Sequence, residues 1–194
     1  MRFTNIENKK IILGSASPRR LELVRMMGRP VEVRVRSIEE VWPGHISGTS
    51  VAEWLALEKA RAQLSELAAD EILITGDTVV VLDGELLEKP KDAEEAMEML
   101  RKLNGRTHTV ASGLAISEKD KSPWSVLDEA EVTFENLDES VLLYYVEHFK
   151  PFDKAGAYGI QEWIGAVGVS SIKGSFYTIM GLPVHLLFKQ LNCS

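Results

Sequence analysis

The sequence predicts an α/β protein built on a mixed sheet flanked by helices. Three observations carry that reading. Strand-like apolar runs alternate with amphipathic helical patterns from Ile11 to Leu191. Asp83-Gly84 is a tight hairpin signal between two strand patterns. Lys119-Asp120-Lys121-Ser122-Pro123 turns a second, longer pair back on itself. Hairpins make antiparallel pairs and strand–helix–strand units make parallel ones, so one sheet carries both.

In order, residues 11–15 read as a strand. Ser17 is a helix cap and Pro18 the first residue of a helix ending near Gly28. Val31 to Val35 alternates with period two and reads as a strand. Ser37 to Glu40 is a loop. Ser50 and Glu53 form a capping box for a helix running to about Leu67. Residues 72–75 and 79–82 are strand patterns interrupted by Gly76-Asp77-Thr78, and Glu85-Leu86-Leu87 returns from the hairpin. Asp92 and Glu95 cap a helix that presents Ala93, Ala96, Met97, Leu100 and Leu103, stopped by Asn104-Gly105. Thr107 to Ile116 is a strand with a bulge expected at Gly113. Trp124 to Phe134 pairs back against it. Asp138 caps a helix with Pro151 beyond its end. Asp153 to Gln161 is irregular, Ile164 to Ile172 reads as a strand, and Pro183 opens a last helix from Val184 to about Leu191.

The chain of 194 residues is long enough for one substantial core, or for two lobes sharing a cleft. With 22 Lys plus Arg against 29 Asp plus Glu, the net charge of −7 argues against nucleic-acid polymers as partners. It leaves room for one small polyanion in a locally basic pocket. The single cysteine, Cys193, points to a reducing compartment. No secretory leader and no apolar run of the ~20 residues that span a membrane are found, so a cytoplasmic protein is expected.

The chemistry-bearing residues begin at Gly14-Ser15-Ala16-Ser17-Pro18-Arg19-Arg20. Arg19 and Arg20 lie in a first helical turn, where acids are normally favoured. Free N–H groups, two hydroxyls and two guanidiniums there make a phosphate cradle; the alternative is two solvated arginines. Asp77 stands between apolar runs and reads as a metal ligand or general base, or else as an Asx-turn residue. Glu39 and Glu40 are candidate oxygen ligands for a hard cation such as Mg²⁺, or else adjacent glutamates that face solvent. Lys59, Lys89 and Lys91 are candidate phosphate cations, with solvated surface lysines as the alternative; Pro90 stiffens the backbone between Lys89 and Lys91. Gln161 carries one acceptor and two donors, able to pair with the carbonyl and imide edge of uracil or thymine. Gly156 and Gly159 beside it permit close ligand approach, or simply turn the chain.

The sequence lacks both a P-loop and a dinucleotide-binding fingerprint. His45, His108, His148 and His185 form no His-x-x-x-His pair, and nothing suggests a serine triad. Trp42, Trp54, Trp124 and Trp163 are scattered and read as packing residues.

Taken together, the motifs resemble the Maf family of nucleoside triphosphate pyrophosphatases. They are Ser15-Ala16-Ser17-Pro18-Arg19-Arg20, Glu58-Lys59-Ala60, Gly76-Asp77-Thr78-Val79-Val80, Leu87-Glu88-Lys89-Pro90, Gly105-Arg106-Thr107-His108, Asp153 to Gln161, and Gly174-Ser175 with Met180-Gly181-Leu182-Pro183. The resemblance implies a two-lobed fold, shared with inosine triphosphatases, around an elongated mixed sheet with a central cleft, in a single domain over residues 1–194. It implies hydrolysis of a nucleoside triphosphate to monophosphate and pyrophosphate with Mg²⁺ or Mn²⁺, by a homodimer. Asp77 matches the proton acceptor; Ser15, Arg19, Arg20, Lys59 and Lys89 match substrate contacts; Asp77 and Glu40 match the metal site. Arg19, Thr78 and Gln161 match positions of the branch preferring dTTP and UTP. The branch acting on 7-methylguanosine triphosphate differs at 157–161. Gly14 and Gly76 stand where alanine is common in the family. Two rival readings keep the same pocket: a non-catalytic nucleotide-binding regulator of cell division, and a phosphatase removing only the terminal phosphate.

Overall fold

A computed structural model describes residue 6 and residues 8–192. Cys193 lies outside the described residues. Among the described residues the seven strands are β1 (Lys10–Leu13), β2 (Val31–Val33), β3 (Glu71–Leu82), β4 (Glu85–Leu87), β5 (Thr107–Glu118), β6 (Trp124–Phe134) and β7 (Val169–Lys173). The helices are α1 (Pro18–Arg25), α2 (Ser50–Arg61), α3 (Ala93–Leu103), α4 (Glu139–Phe149), α5 (Trp163–Gly168), α6 (Phe176–Met180) and α7 (Val184–Asn192). The strands form one mixed sheet in the order β2-β1-β3-β5-β6-β7. β1 runs parallel to β2 and β3, and the remaining pairs are antiparallel.

The sheet is organised by β3. On one edge it pairs with β5 continuously from Ile72 to Val81. The opposite edge is shared by two short strands. β1 covers Glu71 to Ile74, and β4 covers Val80 to Leu82. Among the described residues, 75–79 therefore have no strand partner on that side, and a cleft opens against them. The expected interruption at Gly76-Asp77-Thr78 is not observed; β3 runs through it, because β5 supplies the ladder bonds on the other edge.

Side-chain alternation then sorts β3 between two layers. Ile72, Ile74, Val80 and Leu82 enter the main core with Leu23, Val24, Met97, Leu100, Leu142 and Leu187 from the surrounding helices. On the other face, Val79 packs with Val51, Ala52, Leu55 and Ala111 under α2. Thr75, on that same face, donates from Oγ1 to the Ala56 carbonyl of α2 at 2.7 Å.

Ser17 caps α1 as expected, accepting from Arg20 N at 3.4 Å, and no acid stands in the first turn. Asp92 caps α3 by accepting from Glu95 N at 2.9 Å, while Glu95 reaches back to Lys91 N. The Ser50–Glu53 box does not form. Thr49 precedes the helix, and Glu53 instead accepts from Ser125 Oγ of β6 at 2.6 Å. α2 stops at Arg61, followed by a 3-10 turn at Leu64–Glu66. β2 is shorter than predicted, and Arg34 beyond it forms a bidentate pair with Glu71. Gly113 is no bulge, since the register on both sides passes through it unbroken. A Cβ there would lie 2.2 Å from the Ala52 carbonyl oxygen, so Gly113 lets α2 rest directly on the sheet. Residues 164–168 are helical; their buried members, Ile164 and Gly168, are four apart, the helical spacing.

Candidate active site

The loop from β1 to α1 crosses the gap in the β3 edge. Consequently Ser15, Arg19, Arg20, Glu40, Lys59, Asp77, Thr78, Lys89 and Gln161 all line one cleft of about 700 Å³. Six cationic side chains line it against four carboxylates, the reverse of the acidic whole. Glu39 lies instead beside Trp42, Trp54 and Arg61 in a separate outer hollow. Lys91 is exposed and absent from the lining of either cavity.

Asp77 and Thr78 are neighbours on opposite faces of β3, so they enter different networks. Asp77 faces α2, where Lys59 Nζ donates to its Oδ1 at 2.5 Å. The same ammonium pairs with Glu40 Oε1 at 2.7 Å. Burial works against the Glu40 carboxylate, yet Lys59, with Lys89 and Arg20 further off, holds it below the usual carboxylate range. Thr78 faces α1. Arg20 donates from Nη2 to Thr78 Oγ1 (3.0 Å), from Nη1 to Ser15 Oγ (3.2 Å) and from Nε to the Gly181 carbonyl (2.8 Å). Burial lowers the affinity of this guanidinium for its proton, and Asp77 opposes that. Arg20 thus ties α1, β3 and the α6–α7 turn together at the cleft floor.

Asp77 and Glu40 supply hard oxygen donors, and Lys59 shows that both point to one cation-sized place. That set fits a divalent ion held by one or two carboxylates and substrate phosphates. Among the described residues no cluster of three or more His, Cys, Asp or Glu offers an all-protein metal cage.

The Maf family's sequence model, described as Maf-like protein, matches residues 10–193. The chain belongs to the Maf family. A Bacteroides thetaiotaomicron relative named dTTP/UTP pyrophosphatase is 44% identical over 189 residues, covering 97% of each chain. One of the same name from Porphyromonas gingivalis is 44% identical over 191 residues, covering 97% of this chain and 96% of that protein. Another, from Flavobacterium psychrophilum, is 42% identical over 185 residues, covering 95% and 94%. The solved structure of the Staphylococcus aureus Ham1 protein shares the fold, with a TM-score of 0.55 and 18% identity over 94% of this chain and 98% of that one.

This Maf-family chain also uses residues of the family's motifs to which the sequence alone assigned no role. Arg19 Nη1 donates to Asp153 Oδ2 at 2.8 Å. Lys154, almost fully buried, pairs with Asp153 Oδ1 at 2.7 Å and Glu162 Oε1 at 3.0 Å. Burial disfavours the Asp153 carboxylate, but Lys154 and Arg19 bring it below the ordinary range. The Asp-Lys pair opening the 153–161 stretch is the signal in the sequence that could have found them. Tyr158 lines the cleft and shares a 2.7 Å hydrogen bond with His108 Nε2. Gln161 stands exposed at the lip.

Proposed function

We propose that this protein hydrolyses dTTP and UTP, and by the same contacts modified pyrimidine nucleotides, to the monophosphate and pyrophosphate. The observation that supports this most directly is Asp77, a strand carboxylate facing a cleft in which cations outnumber carboxylates, and held by Lys59. The names of the relatives support the same reading.

In the proposed reaction, Asp77 accepts a proton from water as the oxygen attacks the α-phosphorus. The bond from that phosphorus to the bridging oxygen breaks, and pyrophosphate leaves. Arg19, Arg20, Lys59 and Lys89 offset the charge that develops on the leaving group, and such charge stabilisation supplies most of the acceleration in phosphoryl and nucleotidyl transfer. Ser15 and the α1 N–H groups position the phosphates. Asp77 and Glu40 would hold Mg²⁺ or Mn²⁺, whose charge would further stabilise the leaving pyrophosphate. Gln161 would pair with the pyrimidine edge, with Arg19 and Thr78 contributing to selection.

The chain is proposed to be one domain over residues 1–194, its two lobes sharing this cleft, and to work as a cytoplasmic homodimer without nucleic-acid or membrane partners. No helix among the described residues is long and apolar enough to cross a membrane.

A panel of ordinary and modified triphosphates with Mg²⁺ or Mn²⁺ tests the proposal. Monophosphate and pyrophosphate are the expected products. Diphosphate and phosphate would identify a terminal phosphatase. Tight binding without turnover would favour the regulator. Gln161→Ala should weaken selection among UTP, CTP and GTP more than it weakens phosphate binding; unchanged relative rates would refute the base-reading role.

A further inference from the structure

Gln161 lies inside a tight turn that is fastened at both ends by a single phenol. The turn spans Gly159 to Glu162 and is closed by Glu162 N donating to the Gly159 carbonyl at 3.0 Å. Tyr145, from α4, is fully buried beneath it. Its hydroxyl accepts from Gly159 N at 3.1 Å, at the first residue of the turn. The same hydroxyl donates to Glu162 Oε2, at the last. Glu162 folds back so closely that a Cβ on Gly159 would lie 2.8 Å from its Cδ. The other carboxylate oxygen of Glu162 meets Lys154, which continues through Asp153 to Arg19. Burial and the Glu162 charge both raise the Tyr145 pKa, so the phenol keeps its proton and stays a donor.

We propose that Tyr145 and Glu162 are specificity-positioning residues: their clamp on the 159–162 turn fixes where the Gln161 carboxamide stands relative to the phosphate-binding arginines. This rests on the reading of Gln161 as the base-selecting group. A carboxamide discriminates between pyrimidine edges only if its donor and acceptor are held in register with the base. An exposed glutamine on an unfastened turn would populate many orientations and match any base. Tyr145 contacts neither base nor phosphate in this scheme and acts only through the turn.

The test compares kcat/KM on UTP and CTP for wild type, Tyr145→Phe, Gln161→Ala and the double variant, with amide exchange at Gly159 as an independent readout. Tyr145→Phe, which removes both bonds of the phenol, is expected to speed exchange at Gly159 and to lower the UTP-over-CTP ratio by about threefold to tenfold, the worth of one hydrogen bond between the carboxamide and the base. Most of that loss should appear as a raised KM for UTP. In the Gln161→Ala background the Tyr145→Phe effect on the ratio should vanish. Glu162→Ala, at a partly exposed position, carries the same expectation should Tyr145→Phe fold poorly. A ratio preserved in the clamp variants, or one lowered equally with and without Gln161, would overturn this proposal while leaving the pyrophosphatase reading in place. A wild type that cleaves UTP and CTP equally would overturn the Gln161 reading and this proposal with it.

Discussion

The ammonium of Lys59 reaches from α2 to within 2.5 Å of Asp77 Oδ1 in the middle of β3. Each side chain is only 14% exposed, so each is the other's main compensation for leaving water. Asp77→Asn keeps an oxygen for Lys59 to donate to, and Glu40 remains as its second partner. The variant should therefore fold, with a urea midpoint close to wild type. Its pyrophosphate release should fall by roughly 10²–10⁴-fold, the range for loss of a general base. Turnover near normal would remove Asp77 from the chemistry.

Arg20 predicts a coupled loss. Its planar fork satisfies three oxygens on three segments at once, and an ammonium cannot reproduce that geometry. Arg20→Lys should raise KM for the triphosphate and lower stability by about 2 kcal/mol, given about 1 kcal/mol for each of two lost bonds. Steady-state kinetics and urea unfolding on the same preparation check both halves.

His108 gives the molecule an acid limb. The imidazole is 3% exposed, Nε2 meets Tyr158, and burial pushes its pKa down to about 4. In the unfolded chain the value is about 6.5. The unfolded state therefore takes the proton first as pH falls. The contribution is complete above about pH 6.5 and is lost progressively down to about pH 4, below which it no longer changes. The expected loss approaches about 3 kcal/mol over that window. His108→Gln should flatten this part of the stability profile, measured as urea midpoints between pH 7 and pH 4.

The residues legible in the sequence are those whose reasons are local. Ser17 and Asp92 cap their helices through bonds three residues long, and Asp83-Gly84 turns the chain by backbone preference, with φ of 50° and 84°. Gly76-Asp77-Thr78 reads as a break because its polarity is explained only by distant partners, Lys59 on one face and Arg20 on the other. Tyr145 sits on an apolar stripe and reads as ordinary core. Its hydroxyl matters through Gly159 and Glu162, which the fold brings to it. The cleft residues, Asp153 and Lys154 among them, are traceable through the family's motifs, while the pairing of Asp153 with Arg19 and of Lys154 with Glu162 depends on tertiary closeness that no spacing encodes.

Gly113 carries the sharpest steric prediction. An added Cβ would lie 2.2 Å from Ala52 O, 2.4 Å from Ala52 C and 2.5 Å from Glu53 N, all backbone atoms of α2. No side-chain rotation relieves that, so Gly113→Ala must lift the helix from the sheet. Overpacking of this kind costs roughly 1–3 kcal/mol, sometimes more. Lys59 lies about two turns further along α2, so the same displacement draws its ammonium away from Asp77. Stability and pyrophosphate release should fall together in Gly113→Ala. Gly44→Ala is the control, because a Cβ there meets nothing within 4 Å, and it should change stability by less than about 0.5 kcal/mol. If Gly113→Ala matched that control in melting temperature and in turnover, direct seating of α2 on the sheet would not be what holds Lys59 against Asp77.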